Sequence, residues 1–310
     1  MTTTRRTACA ILAGSALSIA LTACMAAEAS DSTSSTAEAS GDTTTFVLCP
    51  DLAAGDRSAG SQAELTGRVA DVLLERAREL PWVDKAQLGA PGAAVELIVE
   101  PRLSDDELAE TELALTQRGV LGVWIVAGNG DGLDVRAERD RLEAWSTAHP
   151  EAPLAAFNDV ARDAGGPPRA SRTDQPGLRW AVAEPRAEDD TRTELERALP
   201  LLVPTREAWR FDSAALAHVY LSTDPRGFPA VGFEVRGDRK DDFGDLTGAH
   251  VDRNMAIVVD DVALSVANIN QRLPGGGIIM GRFTKRQVDL MIAQLRAGEL
   301  PAPVELVETR

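Results

Sequence analysis

Residues 94–127 read "AVELIVEPRLSDDELAETELALTQRGVLGVWIVA". Val95, Leu97 and Val99 alternate with Glu96 and Glu100, the period of a half-buried strand. Pro101 stops it, because proline has no N–H for the ladder. Ser104 and Glu107 have capping-box spacing, which predicts a helix start. Gly119 stands where a helix ends in a left-handed residue. The continuous apolar run 120–127 then predicts a buried strand.

Working outward, "FVLC" (46–49) is a short apolar strand. The helix after it carries Leu65, Val69, Val72, Leu73, Ala77 and Leu80 on one face, with Ser61 and Glu64 at capping-box spacing. "WVDKAQL" (82–88) alternates weakly, like a strand. The order over 46–127 is therefore β-α-β-β-α-β. That is the ferredoxin-like arrangement, with two helices on one face of a four-stranded antiparallel sheet. The expected fold class is α+β.

The chain has 310 residues and a net charge of −16. Nucleic acid and anionic lipid surfaces are recognised by basic patches, so this balance argues against both. The N-terminus reads as a secretion signal: Arg5 and Arg6, then an apolar run too short to span a bilayer. "LTAC" (Leu21–Cys24) resembles the bacterial lipobox, which implies cleavage before Cys24 and acylation of its thiol. Losing residues 1–23 removes Arg5 and Arg6 and no acids, taking the charge from −16 to −18. Residues 24–45 are Ala, Ser, Thr and acids, expected to be a disordered tether. Cys49 is expected to be a buried thiol at the end of its strand.

Residues 128–200 read as an acidic helical and loop connector. "LRWAVAE" (178–184) has the pattern of a strand and 188–200 that of an acidic helix. From 201 to 310 a second α+β domain is predicted. "AHVYLS" (217–222) and "AVGFEV" (230–235) are strands. A polar helix over 239–250 turns Phe243 and Leu246 inward. Residues 254–261 and 262–270 form a hairpin turning at Asp260-Asp261. Thr284 and Gln287 open a helix with a stripe of Val288, Met291, Ile292 and Leu295, and Gly298 ends it. "VELV" (304–307) is a closing strand that can complete the sheet of the first domain.

"FGDLTGAHVDRNMAIVVDDVALSVANI", "GGGIIMGRFT" and "LRAGELPAP" together resemble the extracytoplasmic P1 region of SecD, a subunit of the Sec protein translocase. Phe243, Leu246 and Thr247 match the family's helix. Ala256, Ile257, Val258 and Asp260 match its strand. Gly276, Ile279, Gly281, Phe283 and Thr284 match its turn, strand and cap, and Leu295 to Pro303 match the run after it. The resemblance implies base and head subdomains. In the family the last run leads to a transmembrane bundle; here the reading is of the extracytoplasmic half alone, held at the outer face of the cell membrane by lipid. Proton conduction is not expected of it, since the residues for that lie in membrane helices.

No feature points to catalysis. Asp260-Asp261 suits a turn better than a carboxylate pair. "PGGG" (274–277) lacks the Lys and Ser/Thr of a P-loop. His149, His218 and His250 show no metal spacing. No cofactor, no metal and no enzymatic activity are expected. The resemblance implies Sec translocon subunits and unfolded preproteins as partners. A sheet edge or inter-domain groove binds extended peptide by strand addition. Phe211, Tyr220, Phe228 and Phe233 are the candidate apolar contacts, each with core packing as its competing role. The alternative reading is an envelope assembly lipoprotein that keeps the fold without preprotein binding.

Overall fold

The computed structural model describes residues 42–51, 59–169, 176–185 and 191–310. The expected signal peptide, Cys24 and the tether up to residue 41 lie outside the described residues. The first half of the chain forms β1 (Thr44–Pro50), α1 (Ala59–Glu79), β2 (Lys85–Leu88), β3 (Val95–Glu100), α2 (Asp105–Thr116), β4 (Leu121–Val126) and α3 (Val135–Ala148). There follow β5 (Gly177–Ala183), the single turn α4 (Glu194–Arg197), β6 (Ala198–Val203), β7 (Leu216–Thr223), β8 (Pro229–Val235) and α5 (Lys240–Ala249). β9 (Asn254–Val259), β10 (Val262–Asn268), β11 (Gly276–Ile279), α6 (Lys285–Ala297) and β12 (Val304–Thr309) complete it.

The base sheet has the order β12-β1-β3-β2, antiparallel throughout. Alternation in β1 and β3 sends Phe46, Leu48, Val95, Leu97 and Val99 to one face, where they meet Val69, Leu73, Ala77 and Leu80 of α1 and Ala114 and Leu115 of α2. Full burial of each Val, Leu or Phe among them stabilises by about 1.5–3 kcal/mol. α2 starts as its residues dictate. Ser104 accepts from the Glu107 N–H and Glu107 reaches back to the Ser104 N–H at 3.0 Å.

The ferredoxin-like topology is present, but its fourth strand is not the run 120–127. β12 takes that place beside β1, and everything between α2 and β12 is inserted within the unit. β4 instead pairs β9 and β6 in a closed barrel of order β10-β5-β6-β4-β9. Its unbroken apolar run suits a strand with no solvent face, which periodicity alone assigns to no particular sheet. The stretch 128–200 is more than a connector. It supplies β5 to the barrel and packs Leu142, Leu154, Phe157 and Trp180 in a core of its own. Residues 198–203 form β6 rather than the end of an acidic helix. The helix there is the four-residue α4, capped by Thr193 and Glu196.

The third sheet, β11-β8-β7, is covered on one face by α5 and α6. α6 is shared. Val288, Met291, Ile292 and Leu295 face the head core, while Leu290 and Ala293 face the base core with Leu300 and Ala302. Arg286 ties the same helix to Glu110 of α2 at 2.7 Å and stacks over Trp82.

Base and head meet at a fully buried arginine. Arg76 of α1 donates Nη1 to Ala114 O at 2.9 Å and to Gln117 O. Its Nη2 donates to Arg118 O at 2.7 Å and to Gly298 O at 2.9 Å. It thus collects the free carbonyls that helices leave at their C-termini, for α2 and α6 together. Burial lowers its pKa to about 10, while Asp260 and Glu299 favour the charged form. Gly119 has φ 72° and its Cβ would stand 2.6 Å from Arg76 Nη2. The left-handed φ and the guanidinium both call for glycine here, three residues beyond the end of α2. Asp260, in the β9–β10 turn at φ 48°, accepts from the N–H of Gly119 at 2.9 Å and of Val120 at 2.8 Å. The Asp260-Asp261 pair is therefore a hairpin turn, with Asp261 bound to Arg179 of β5.

Cys49 is half-buried, which corrects the expectation of a buried thiol. Its position on β1 explains the difference. It alternates with Leu48 and so falls on the face of the base sheet opposite the helices.

Candidate functional site

The head presents two adjoining features: an open groove and the free edge of β7. The groove, about 1490 Å³, runs between the ends of β5 and β10 in the barrel, the β7–β8 turn and the link from β11 to α6. Each wall follows from its local sequence. In "TDPRGFP" (223–229), Asp224 accepts from the N–H of Arg226 at 2.8 Å and of Phe228 at 2.9 Å, an Asx-type turn. Gly227 supplies the positive φ of 87° that the turn needs. The result turns Phe228 outward, 44% exposed. On the opposite wall, Phe283 folds under Gly281, whose Cβ would stand 2.4 Å from the ring. Met280 and Arg282 are left facing out.

The groove mixes apolar and charged surface. Phe228, Met280 and Val266 are its exposed apolar contacts. Arg226 and Arg282 line it without an ion pair among the described residues, in a chain of net charge −16. Glu184, at the end of β5, is half buried. Its carboxyl pKa is raised by that burial, which outweighs the opposing pull of Arg197. An arginine with no ion pair among the described residues and an apolar ring a few residues apart make an open, mixed surface, unlike the enclosed and largely apolar pockets that hold small metabolites. Among the described residues, no group of three or more His, Cys, Asp and Glu side chains could hold a metal ion.

The four aromatic residues singled out from the sequence separate into two pairs. Phe211 and Phe233 are buried in the head core, each edge-to-face with Phe243 at 5.2 and 6.2 Å. They are core residues and present no surface to a ligand; alternation along β8 and the inward Phe243 put them there. Tyr220 and Phe228 are exposed. Tyr220 lies flat over Gly232, its cross-strand partner, whose Cβ would stand 2.4 Å from the ring. Ile278 of β11 continues that row on the outer face. Sequence reasoning missed Met280, Val266, Arg226 and Arg282. Met280 was legible as an apolar residue just before a glycine and a capped helix. Val266 was not, because it reaches the groove through barrel closure.

A ferredoxin-like base interrupted by a barrel and a helix-backed sheet, joined through one shared helix, defines a two-part α+β protein of base and head. The chain resembles the extracytoplasmic P1 region of SecD in that organisation. Residues 195–302 match the family described as SecDF, P1 head subdomain. The protein translocase subunit SecD of Elusimicrobium minutum is 39% identical over 84 residues, covering 27% of this chain and 18% of that protein. SecD of Leptotrichia buccalis is 32% identical over 100 residues, covering 32% of this chain and 25% of that protein. SecD of Desulfurispirillum indicum is 42% identical over 83 residues, covering 26% and 16%. The matched segments span about a fifth of those relatives' length. Among solved structures, one of SecDF, described as a membrane component that enhances protein export, superposes with a TM-score of 0.51 at 20% identity, covering 86% of this chain and 99% of that one. SecDF in its super-membrane-facing form gives 0.53 at 20%, covering 86% and 30%. These two share the fold. No helix among the described residues is long and apolar enough to cross a membrane.

Proposed function

We propose that this protein is a lipid-anchored, extracytoplasmic accessory of Sec-dependent protein export, whose head holds translocating or newly exported polypeptide. The carrying observation is the head itself. The segment that matches the SecDF P1 head also bears the groove with Phe228, Met280 and two arginines that have no ion pair among the described residues. The anchor rests on "LTAC" at Leu21–Cys24. Two or three acyl chains on that cysteine hold a protein firmly where one does not. The partners are unfolded preproteins and, beside them, Sec translocon subunits. The protein holds its substrate without chemistry. Tyr220 and Phe228 remain the peptide contacts of this reading.

Photo-crosslinking in cells tests it. A benzophenone side chain at Phe228 or Met280 is expected to capture exported polypeptides, and the same probe at Leu113 on the base is not. Equal capture at both positions would overturn the reading. The alternative, an envelope assembly lipoprotein with this fold, predicts one stable protein partner on affinity purification and no crosslinks to unfolded chains.

A further inference from the structure

We propose that β7 is a strand-addition site, where an extended, uncharged segment of polypeptide pairs with its outer edge as a fourth strand of the head sheet. That the segment belongs to an exported protein rests on the function proposed above.

The sheet order β11-β8-β7 leaves β7 at the edge, with no further strand among the described residues. Which of its residues face out is fixed by the hairpin. The Asp224 N–H donates to Phe228 O at 2.9 Å, so Asp224 and every second residue before it, Ser222 and Tyr220, point their backbone at β8. Val219, Leu221 and Thr223 therefore point N–H and C=O away from the sheet. Arg296 confirms the register by donating Nε to Val219 O at 2.8 Å from outside the ladder. That contact closes one end of the edge. The groups of Leu221 and Thr223 are left open, next to the turn that forms one wall of the groove.

The side chains fit the same use. β7 reads "LAHVYLST", eight residues without a formal charge in a chain where 26% are charged. Edge strands that must not pair are usually short, bulged, or guarded by lysine, proline or inward charge; β7 has one irregularity, at Leu216–His218, away from Leu221 and Thr223, and none of the other guards. Leu221 is 50% exposed and Tyr220 41%, one on each face, so an added strand meets an apolar side chain above and below. Open N–H and C=O groups in register select a partner by its backbone, and the flanking Leu and Tyr select β-prone, uncharged side chains. A second copy of this chain offers the same edge. The net charge of −16 on each copy opposes that pairing.

The test uses the full chain in detergent with a fluorescent nonapeptide of alternating Thr and Val. A second peptide is N-methylated on alternate residues so that one edge cannot donate. The expected result is slowed amide exchange at Leu221 and Thr223 on adding the first peptide, and at least about tenfold weaker binding of the second, the loss of roughly 1.4 kcal/mol. Leu221→Pro removes an outward N–H without touching the β8 ladder, which edge strands tolerate, and is expected to weaken the first peptide similarly. Equal binding of both peptides, protection elsewhere, or the same protection arising from dimerisation without peptide would each overturn the proposal. Crosslinks at Phe228 with unprotected β7 amides reject the edge and leave the export reading. Protected β7 amides without crosslinks reject the export reading and leave the edge.

Discussion

The guanidinium of Arg76 donates to the carbonyl of Gly298 at 2.9 Å across 222 residues of sequence. One side chain thereby closes the C-terminus of the shared helix onto the first helix of the base. Replacing it with methionine keeps the volume and strands four carbonyls. Each unsatisfied buried acceptor costs about 1–3 kcal/mol. Arg76→Met is expected to destabilise by at least about 3 kcal/mol in urea unfolding. A loss under about 1 kcal/mol would show that the junction does not depend on it.

Gly119→Ala tests the same junction from the other side. A left-handed φ disfavours any side chain, and the new Cβ would displace the guanidinium. The expected cost is about 1–3 kcal/mol. An Ala variant as stable as the parent would mean that the Arg76 cluster rearranges freely.

β12 is the fourth strand of the base sheet although it lies at the far end of the chain from β1. Deleting 304–310 exposes the edge of β1, the N–H and C=O groups of Thr45 that bond to Arg310, and the Leu48–Leu306 pair. Base and head share α6, so thermal unfolding is expected to shift down as one transition. An unchanged midpoint would contradict the closure.

Glu184 gives a pH-dependent prediction. Burial raises its folded pKa above its unfolded value, so its stabilising contribution is full below the unfolded value and is lost as pH rises through the folded one. Glu184→Gln is therefore expected to be slightly more stable than the parent at pH 7 and equal to it at pH 4. The opposite order at pH 7 would show that the Arg197 attraction dominates.

Much of this fold was legible locally. The caps at Ser104 and Thr284, the hairpin at Asp260-Asp261 and the stripe on α6 all follow from neighbours within a few residues. The strand content of 120–127 was legible and its sheet was not, because pairing with β9 and β6 is decided by residues 75 or more positions away. Gly119 illustrates the limit. Its left-handed φ just past a helix end was legible, whereas the buried arginine from another helix that occupies the place of its Cβ was not. For the site, exposure separated Tyr220 and Phe228 from Phe211 and Phe233, and exposure is a property of the assembled core.

The most direct measurement of the export reading is signal-peptide processing of a secreted reporter, followed by pulse-chase in cells lacking this protein. The account predicts slowed processing that is restored by the parent chain and not by Phe228→Asp, which places a charge on the groove wall at an exposed position. Processing at the parental rate without the protein, or full rescue by Phe228→Asp, would contradict it.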